Sequence, residues 1–174
     1  MLHANLSTTT IKSGRDLPAI FEDRVHPAGI SAGERPENYR ALLLPVAPPA
    51  DLTSDPSAKG GLAGWQLHRV VRHVDDNLAH PLACRDLAMV ARLSTGHFCR
   101  AFKTSMGEPP HAYVIRQRIR RAQRLMLQTD DALSQIACTC GLTDQAHLTR
   151  LFRRAVGTTP KVWRSRWQPV ARAN

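Results

Sequence analysis

The sequence predicts an all-α fold in which two helix-turn-helix units are joined by a long linker helix and preceded by a largely irregular N-terminal segment. Three observations favour this class. Apolar residues recur at helical spacing from Trp65 onward. A pattern of apolar, turn and basic residues occurs twice. Between the two copies, a stretch of about 20 residues, 110–129, keeps a helical apolar stripe and begins with prolines, which the first turn of a helix tolerates.

Residues 1–64 are predicted to be the irregular segment and linker. They hold 7 of the 12 prolines and 6 of the 10 glycines, and prolines interrupt each short apolar run. Residues 40–44 are the stretch that would suit a single strand. A core built from fewer than about 70 residues is marginal. We interpret the segment as a mostly disordered tail or, alternatively, as the remnant of a sensing or dimerisation segment.

The ordered domain is predicted to span residues 65–168, with a tail at 169–174. After a first helix that ends before Pro81, its parts are the first helix-turn-helix unit at about 86–107, the linker helix at about 109–129, the second unit at about 134–157 and a short closing helix at 159–163. By spacing, the core anchors are Phe98, Phe102, Tyr113, Phe152 and Trp163.

Several residues are predicted to begin or end these helices. Ala83 is a poor N-cap for the first unit, whereas Ser94 is a good N-cap for that unit's second helix. Gly107 is expected to end the latter helix. Asp130 and Asp131 are expected to end the linker helix and cap the helix that follows.

The two units are versions of each other. Corresponding residues lie 49 positions apart before the turn and 50 after it, so the second turn contains one extra residue. The outward positions also correspond, and the turn of the first unit has an arginine where the second has a glycine: Gly96 with Ala146, Arg100 with Arg150, Lys103 with Arg153, and Arg92 with Gly141. Agreement of core, turn and basic face together is strong evidence for an internal repeat.

Positive charge is concentrated in the part that carries the repeat. The whole chain has a net charge of +10, but residues 1–64 contain 6 Lys and Arg against 7 Asp and Glu, and residues 65–174 contain 18 against 7. Such an imbalance favours a polyanionic partner, although a solvated basic surface is the alternative. The arginines of the linker helix are expected to form a mostly solvated face.

A stable helix with a basic outer face suits the major groove of double-stranded DNA. The linker helix of about 20 residues would span about 30 Å, close to the roughly 34 Å between successive major-groove faces. Arg100 and Arg150 are the best candidates for base contact, with phosphate contact or simple solvation as alternatives. The full set of candidate DNA-binding residues is Thr95, Gly96, His97, Cys99, Arg100, Lys103, Gln145, Ala146, His147, Thr149, Arg150, Arg153 and Arg154.

Residues 65–168 resemble the DNA-binding domain of AraC/XylS-type transcriptional regulators. The stretches that carry the resemblance are His97-Phe-Cys-Arg-Ala-Phe-Lys103 and Cys140-Gly-Leu-Thr-Asp-Gln-Ala-His-Leu-Thr-Arg-Leu-Phe-Arg153. The resemblance implies binding to bacterial promoters and activation through contacts with RNA polymerase. Leu142 and Leu148 stand where phenylalanine is common in the family. Residues 1–64 are too few for the family's usual β-barrel sensor, so the sequence does not identify a small-molecule effector.

Two alternatives to a promoter regulator remain at this point. AraC-like modules also resemble parts of alkyl-transfer DNA-repair proteins, but such an enzyme needs an activated thiolate outside the binding module, and no cysteine precedes Trp65. The other alternative is a regulator that acts through a protein partner docked on residues 1–64. The prediction is therefore a protein that is not an enzyme and needs no cofactor.

The four cysteines do not have the spacing of a metal site. Three of them, Cys84, Cys138 and Cys140, are expected to pack in the core, and Cys99 is expected to point outward. No run of eighteen apolar residues is present, and the N-terminus lacks the basic start and apolar centre of a secretory signal. The expectation is a cytoplasmic protein with no membrane partner and with reduced cysteines.

Overall fold

The computed structural model describes residues 60–172 and, within them, the side chains of residues 60–169. This part of the chain has no strand and consists of helices joined by short connections, which confirms the all-α prediction. The irregularity and the strand predicted for residues 1–59 lie outside the described residues. The helices are α1 (Gly64–Asp76), α2 (Cys84–Val90), α3 (Thr95–Met106), α4 (Pro110–Gln128), α5 (Leu133–Thr139), α6 (Gln145–Val156) and α7 (Pro160–Arg172).

The first hydrophobic core is enclosed by α1, α2, α3 and the first turns of α4. Phe102 of α3 packs between Phe98 and Tyr113, with ring centroids 5.5 Å apart in each pair. The core begins before the predicted boundary at residue 65, because Leu62 is buried and its N–H donates a 2.8 Å hydrogen bond to Ser105 Oγ. Helices α2 and α3 form the first helix-turn-helix unit, and α1 covers its apolar side.

The second core is enclosed by the rest of α4 together with α5, α6 and α7. Ile119 and Met126 of α4 are fully buried in it. The rings of Phe152 and Trp163 meet edge to face with centroids 5.8 Å apart. Helices α5 and α6 form the second helix-turn-helix unit. Because α4 contributes apolar residues to both cores, it joins the two units as the predicted linker helix.

The expectation that the arginines of α4 form a mostly solvated face is wrong. Of the five, Arg124 is exposed and the others are half-buried. Arg116, for example, forms an ion pair with Glu108, with its Nε 2.9 Å from Oε1, and lies over the Tyr113 ring. Two cores enclose most of the helix surface, so neighbouring elements partly cover four of these arginines instead of leaving them fully in water. The five are Arg116, Arg118, Arg120, Arg121 and Arg124.

The second helices of the two units end alike but begin differently. Gly107 and Gly157 end α3 and α6 in the left-handed conformation, with φ of 73° and 82°. At the N-terminus of α6, the Asp144 carboxylate accepts a 2.7 Å hydrogen bond from the N–H of His147. Ser94 occupies the N-cap of α3 as predicted, but its side chain makes no capping hydrogen bond. The two N-termini therefore differ in how their free N–H groups are satisfied.

Asp130 and Asp131 do not cap α5, contrary to the prediction. The N-cap of that helix is Ala132, whose N–H donates to Gln135 Oε1 over 3.3 Å. A side chain inside the helix thus reaches back to satisfy the N-cap, and the aspartates lie one and two residues too early to do so. The N-cap of α2 is Ala83, as predicted, without a side-chain hydrogen bond.

The last helix is longer than predicted. It runs for 13 residues from Pro160 to Arg172, where the sequence predicted a short helix and a frayed tail. Two side chains tie it to the residues that follow α4: Gln168 donates to the carbonyl of Thr129, and Arg164 donates to the carbonyl of Asp131, both over 2.8 Å. No helix within residues 60–172 has the length and apolarity needed to cross a membrane.

Candidate nucleic-acid interface

The outward side of α6 carries a shallow basic groove. Ala146 and Arg150 lie one turn apart and Arg153 follows on the same side, all three exposed. An α-helix with its side chains is about 10–12 Å wide, which matches the roughly 12 Å of the major groove. The groove brings together six of the residues that the sequence predicted: Gln145, Ala146, Thr149, Arg150, Arg153 and Arg154.

Two polar residues beside this groove already have partners within the helix. Thr149 donates its hydroxyl proton to the carbonyl of Gln145 over 2.8 Å, so its oxygen keeps only acceptor capacity toward a ligand. The Asp144 carboxylate is bonded to the N–H of His147. Because that carboxylate is used as a helix cap, its negative charge is partly offset by the positive end of the α6 dipole.

His147 is oriented by the turn that precedes its helix. Its Nδ1 lies 3.3 Å from Thr143 Oγ1, and the N–H of Thr143 donates toward the same nitrogen over 3.5 Å. This contact within the unit favours a structural role for His147 over base reading. His97, the corresponding residue of the first unit, is exposed.

The outward side of α3 is basic but carries fewer polar groups. Thr95, Gly96, Arg100 and Lys103 are all exposed. A Cβ at Gly96 would lie 3.8 Å from Nη1 of Arg100, so the guanidinium group lies beside this glycine on the same face. Since residue 96 has no side chain, its backbone is open to close approach by a ligand.

Cys99 does not share this face, contrary to the prediction. It is half-buried and packs against the first core, where its thiol contacts that of Cys84. Burial, followed by the neighbouring Cys99, raises the pKa of the Cys84 thiol. Helix α2 packs against α3 and covers this position, a contact that a helical count cannot show. The prediction for Cys138 is also wrong, since it is exposed, whereas Cys140 is buried as expected.

Four basic residues of the two faces have no acidic partner within the described part of the chain. Close ion pairs in this part of the chain include those of Arg72 with Asp76, Arg85 with Asp86 and Arg116 with Glu108. Within residues 60–169, no carboxylate lies within 4 Å of Arg100, Lys103, Arg150 or Arg153. Guanidinium and ammonium groups arranged in this way attract phosphates. The same residues contain no cluster of three His, Cys, Asp or Glu side chains suited to a metal ion.

Sequence reasoning missed a contact between the two units. Arg118 of α4 donates to the carbonyl of Leu78, and the turn at Gly141 approaches the same carbonyl. One signal was available in the repeat. The first turn takes an arginine, Arg92, where the second has a glycine, which indicates that a constraint beyond the turn acts at Gly141.

Comparison with known proteins supports this fold and this repeat. A family model described as a helix-turn-helix domain matches residues 87–166. The probable transcriptional regulator LumQ of Photobacterium leiognathi is 34% identical over 88 residues, which cover 51% of this chain and 36% of LumQ. The HTH-type transcriptional activator RhaS of Escherichia fergusonii is 30% identical over 96 residues, 55% of this chain and 34% of RhaS. The chain thus spans about a third of the length of these relatives.

Solved structures resemble the same part of the chain over nearly their whole length. A transcriptional regulator from Chromobacterium violaceum, described as an AraC-type DNA-binding domain-containing protein, is 30% identical in sequence and superposes with a TM-score of 0.56. The match covers 94% of that protein and 60% of this chain. The DNA-binding domain of AdpA, solved in complex with a target DNA, is 28% identical with a TM-score of 0.56 and is covered to 93%. With its two repeated units on a shared helix, the chain belongs to the family of transcriptional regulators that carry an AraC-type DNA-binding domain.

Proposed function

We propose that the chain is a sequence-specific DNA-binding transcription regulator that reads two adjacent major-groove segments with α3 and α6. The observation that carries this proposal is the pair of exposed basic faces, one on the second helix of each unit. A single α4 joins both units, so one chain presents two reading helices, where most helix-turn-helix proteins need a dimer. The AdpA domain in complex with a target DNA supports the assignment by similarity.

The two faces divide into base-contacting and phosphate-contacting residues. Arg100 and Arg150 are proposed to contact bases, since a bidentate arginine–guanine pair provides about 1–3 kcal/mol of discrimination. Lys103, Arg153 and Arg154 are proposed to meet phosphates, which gives affinity without sequence information. Small and polar residues of the faces then allow close approach or make secondary contacts: Thr95, Gly96, His97, Gln145, Ala146, His147 and Thr149.

Activation of transcription, with RNA polymerase as the protein partner, is the regulatory mode that we propose. RhaS, a relative in the matched region, is named as an activator. The alkyl-transfer repair alternative is not favoured, because the relatives described above are transcriptional regulators.

The proposal is tested by selecting binding sites from random DNA with the full chain. The selected duplex and a shuffled duplex are then titrated at several salt concentrations. Specific binding should be tighter by about 10³-fold or more. Equal affinity for both duplexes would contradict sequence-specific function.

Two arginine variants test the division of roles. Arg150→Ala should relax the preference at one base of the selected site, at a cost of about 1–3 kcal/mol for the preferred base. Arg153→Ala should weaken binding to all sequences alike, because it removes a phosphate contact. Arg72→Ala on α1 is the matched control: it removes the same charge from an exposed residue paired with Asp76 and should leave both measurements unchanged. If Arg150→Ala selects the same DNA site as the wild-type chain, Arg150 does not contact a base.

A further inference from the structure

The connection between α1 and α2 is held by an arginine of the linker helix. Arg118 Nε donates to the carbonyl of Leu78 over 3.1 Å, and Nη2 donates to the carbonyl of His80 over 2.7 Å. The planar guanidinium group thus binds two backbone carbonyls at once, a geometry that a lysine cannot reproduce. Burial lowers the pKa of Arg118, as expected for a cation partly removed from water.

The turn of the second unit meets the same carbonyl. A Cβ built on Gly141 would lie 2.3 Å from the oxygen of Leu78 and 3.1 Å from the carbonyl carbon and oxygen of Ala79. Real Cβ atoms essentially never lie as close as 2.3 Å to a backbone oxygen. The absence of a side chain at Gly141 therefore allows the second unit to touch the segment that leads into the first.

The repeat provides an internal control for this interpretation. Arg92 is the counterpart of Gly141 and also has a left-handed backbone, with φ of 57° against 72°. An arginine is accommodated there because its side chain is exposed. The left-handed turn alone thus does not require glycine in this fold, and the close approach to Leu78 is the additional constraint on Gly141.

This inter-unit contact, formed by Arg118, Gly141 and residues 78–80, is a second connection between the units. The first is α4, whose apolar stripe enters both cores. A single shared helix still lets the two units shift relative to each other, because it can bend or twist along its length. A second point of attachment at the side of that helix opposes both motions and so fixes the position of α6 relative to α3.

We propose that Arg118 and Gly141 are positioning residues that set the spacing at which α3 and α6 reach DNA, so that the chain selects against sites whose two half-sites are moved by one base pair. This inference rests on the proposed function. One base pair changes the position of a half-site by about 3.4 Å and its direction by about 35°. A rigidly held pair of units cannot follow that change, whereas a loosely joined pair can.

Spacing variants of the selected DNA site test the proposal. Footprinting first locates the two contacted segments, and duplexes with one base pair removed or added between them are then titrated. The wild-type chain should lose on the order of tenfold or more in affinity at each altered spacing. For Gly141→Asn and Arg118→Lys that loss should shrink to about twofold, while binding at the native spacing weakens. Asparagine is chosen because it tolerates a left-handed backbone, and lysine because it keeps the charge.

Two matched variants serve as controls for the spacing measurement. Arg92→Asn changes the corresponding turn of the first unit, and Gln128→Ala removes an exposed polar side chain from the same α4 helix. Both should keep the wild-type dependence on spacing. The proposal is overturned if Gly141→Asn and Arg118→Lys, each shown to be folded by circular dichroism, also keep it.

A measurement without DNA separates this proposal from the proposed function. Spin labels are attached through Met89→Cys in the first unit and Val162→Cys in α7, which are 63% and 58% exposed in the native chain, after Cys138→Ser removes the exposed thiol. The distribution of distances between the two spin labels should be narrow in the protein with the native contact and broad in the Gly141→Asn or Arg118→Lys variant. An equally narrow distribution in all three overturns the positioning role of the contact. If the chain selects no DNA sequence, the proposed function and the spacing of DNA sites fall, whereas a distribution that broadens only in the two variants still shows that the contact positions the units.

Discussion

At the scale of single residues, the buried thiol of Cys140 makes the stability of the domain depend on pH. Cys140 is fully buried at the end of α5, and this burial raises the pKa of its thiol to about 11, against the attraction of nearby arginines of α4. In the unfolded chain the thiol has the ordinary value of 9.0. The thiol therefore stabilises the folded state fully below pH 9, and that contribution is lost as pH rises toward 11.

We expect the free energy of unfolding to fall by roughly 1 kcal/mol from this thiol between pH 8 and pH 10, because the unfolded chain releases the proton first. Urea titrations at the two pH values measure the change. Cys140→Ala should lower stability at both pH values through the lost packing, but it should abolish this part of the pH dependence. Cys138→Ala, which alters an exposed thiol on the same helix, should keep it. A pH dependence unchanged by Cys140→Ala would refute the assignment.

At the scale of helices, the two units differ most in how their second helices begin. The Asp144 side chain accepts a hydrogen bond from the N–H of His147, whereas the Ser94 side chain makes no such bond. An acidic N-cap also interacts favourably with the positive end of the helix dipole. The second unit thus has the better-formed N-terminus on the helix that is proposed to enter the groove.

Asp144→Ala should destabilise the domain by about 1 kcal/mol, because it leaves the N–H of His147 without its side-chain partner. Ser94→Ala is the matched change in the first unit and should cost clearly less, since no side-chain bond is lost there. Thermal unfolding of both variants, followed by circular dichroism, provides the comparison. Equal losses would show that Ser94 caps α3 in solution.

Some features of the helices follow from local sequence, and others do not. Helical periodicity predicted α3, α4 and α6 closely, and the spacing of apolar residues predicted which side of α3 and of α6 faces the core. The outward positions of the candidate faces followed from the same count. Two of the failures depended on contacts distant in sequence. Cys99 is covered by α2, and α7 is extended by a hydrogen bond from Gln168 to Thr129, 39 residues away.

Arg118 belongs to this second group. Its two carbonyl partners are 40 and 38 residues away, so a helical count could only place it on a polar face. The repeat offered the one usable hint, through the difference between Arg92 and Gly141. The position of a residue on its helix could thus be predicted from the sequence. The hydrogen-bond partner of a long polar side chain could not, because it depends on how the two units pack.

At the scale of the whole molecule, the excess of positive charge governs association with DNA. Residues 65–174 carry 18 basic against 7 acidic residues, and the outward faces of both units are basic. Neutralising phosphates releases counterions, so affinity should fall linearly with salt on logarithmic axes, with a slope of about −0.9 per contacted phosphate.

If Lys103, Arg153 and Arg154 each contact a phosphate, the slope should be about −2.7 or steeper. Lys103→Ala should reduce its magnitude by about 0.9, and Arg72→Ala should leave it unchanged. Titrations of a shuffled duplex between 50 and 200 mM salt measure this slope without a contribution from base-specific contacts. A slope near zero would show that the basic faces do not bind the DNA backbone.

The inter-unit contact is made entirely to main-chain atoms on the side of the first unit. Arg118 and Gly141 meet the carbonyl groups of residues 78–80, which every amino acid supplies, and no outward residue of α3 or α6 takes part. The geometry that holds the two helices is therefore separate from the chemistry that they present. Natural variation or protein engineering can exchange the outward residues of either helix and redirect the protein to a new DNA sequence. Arg118 and Gly141 then preserve the relative position of the two helices.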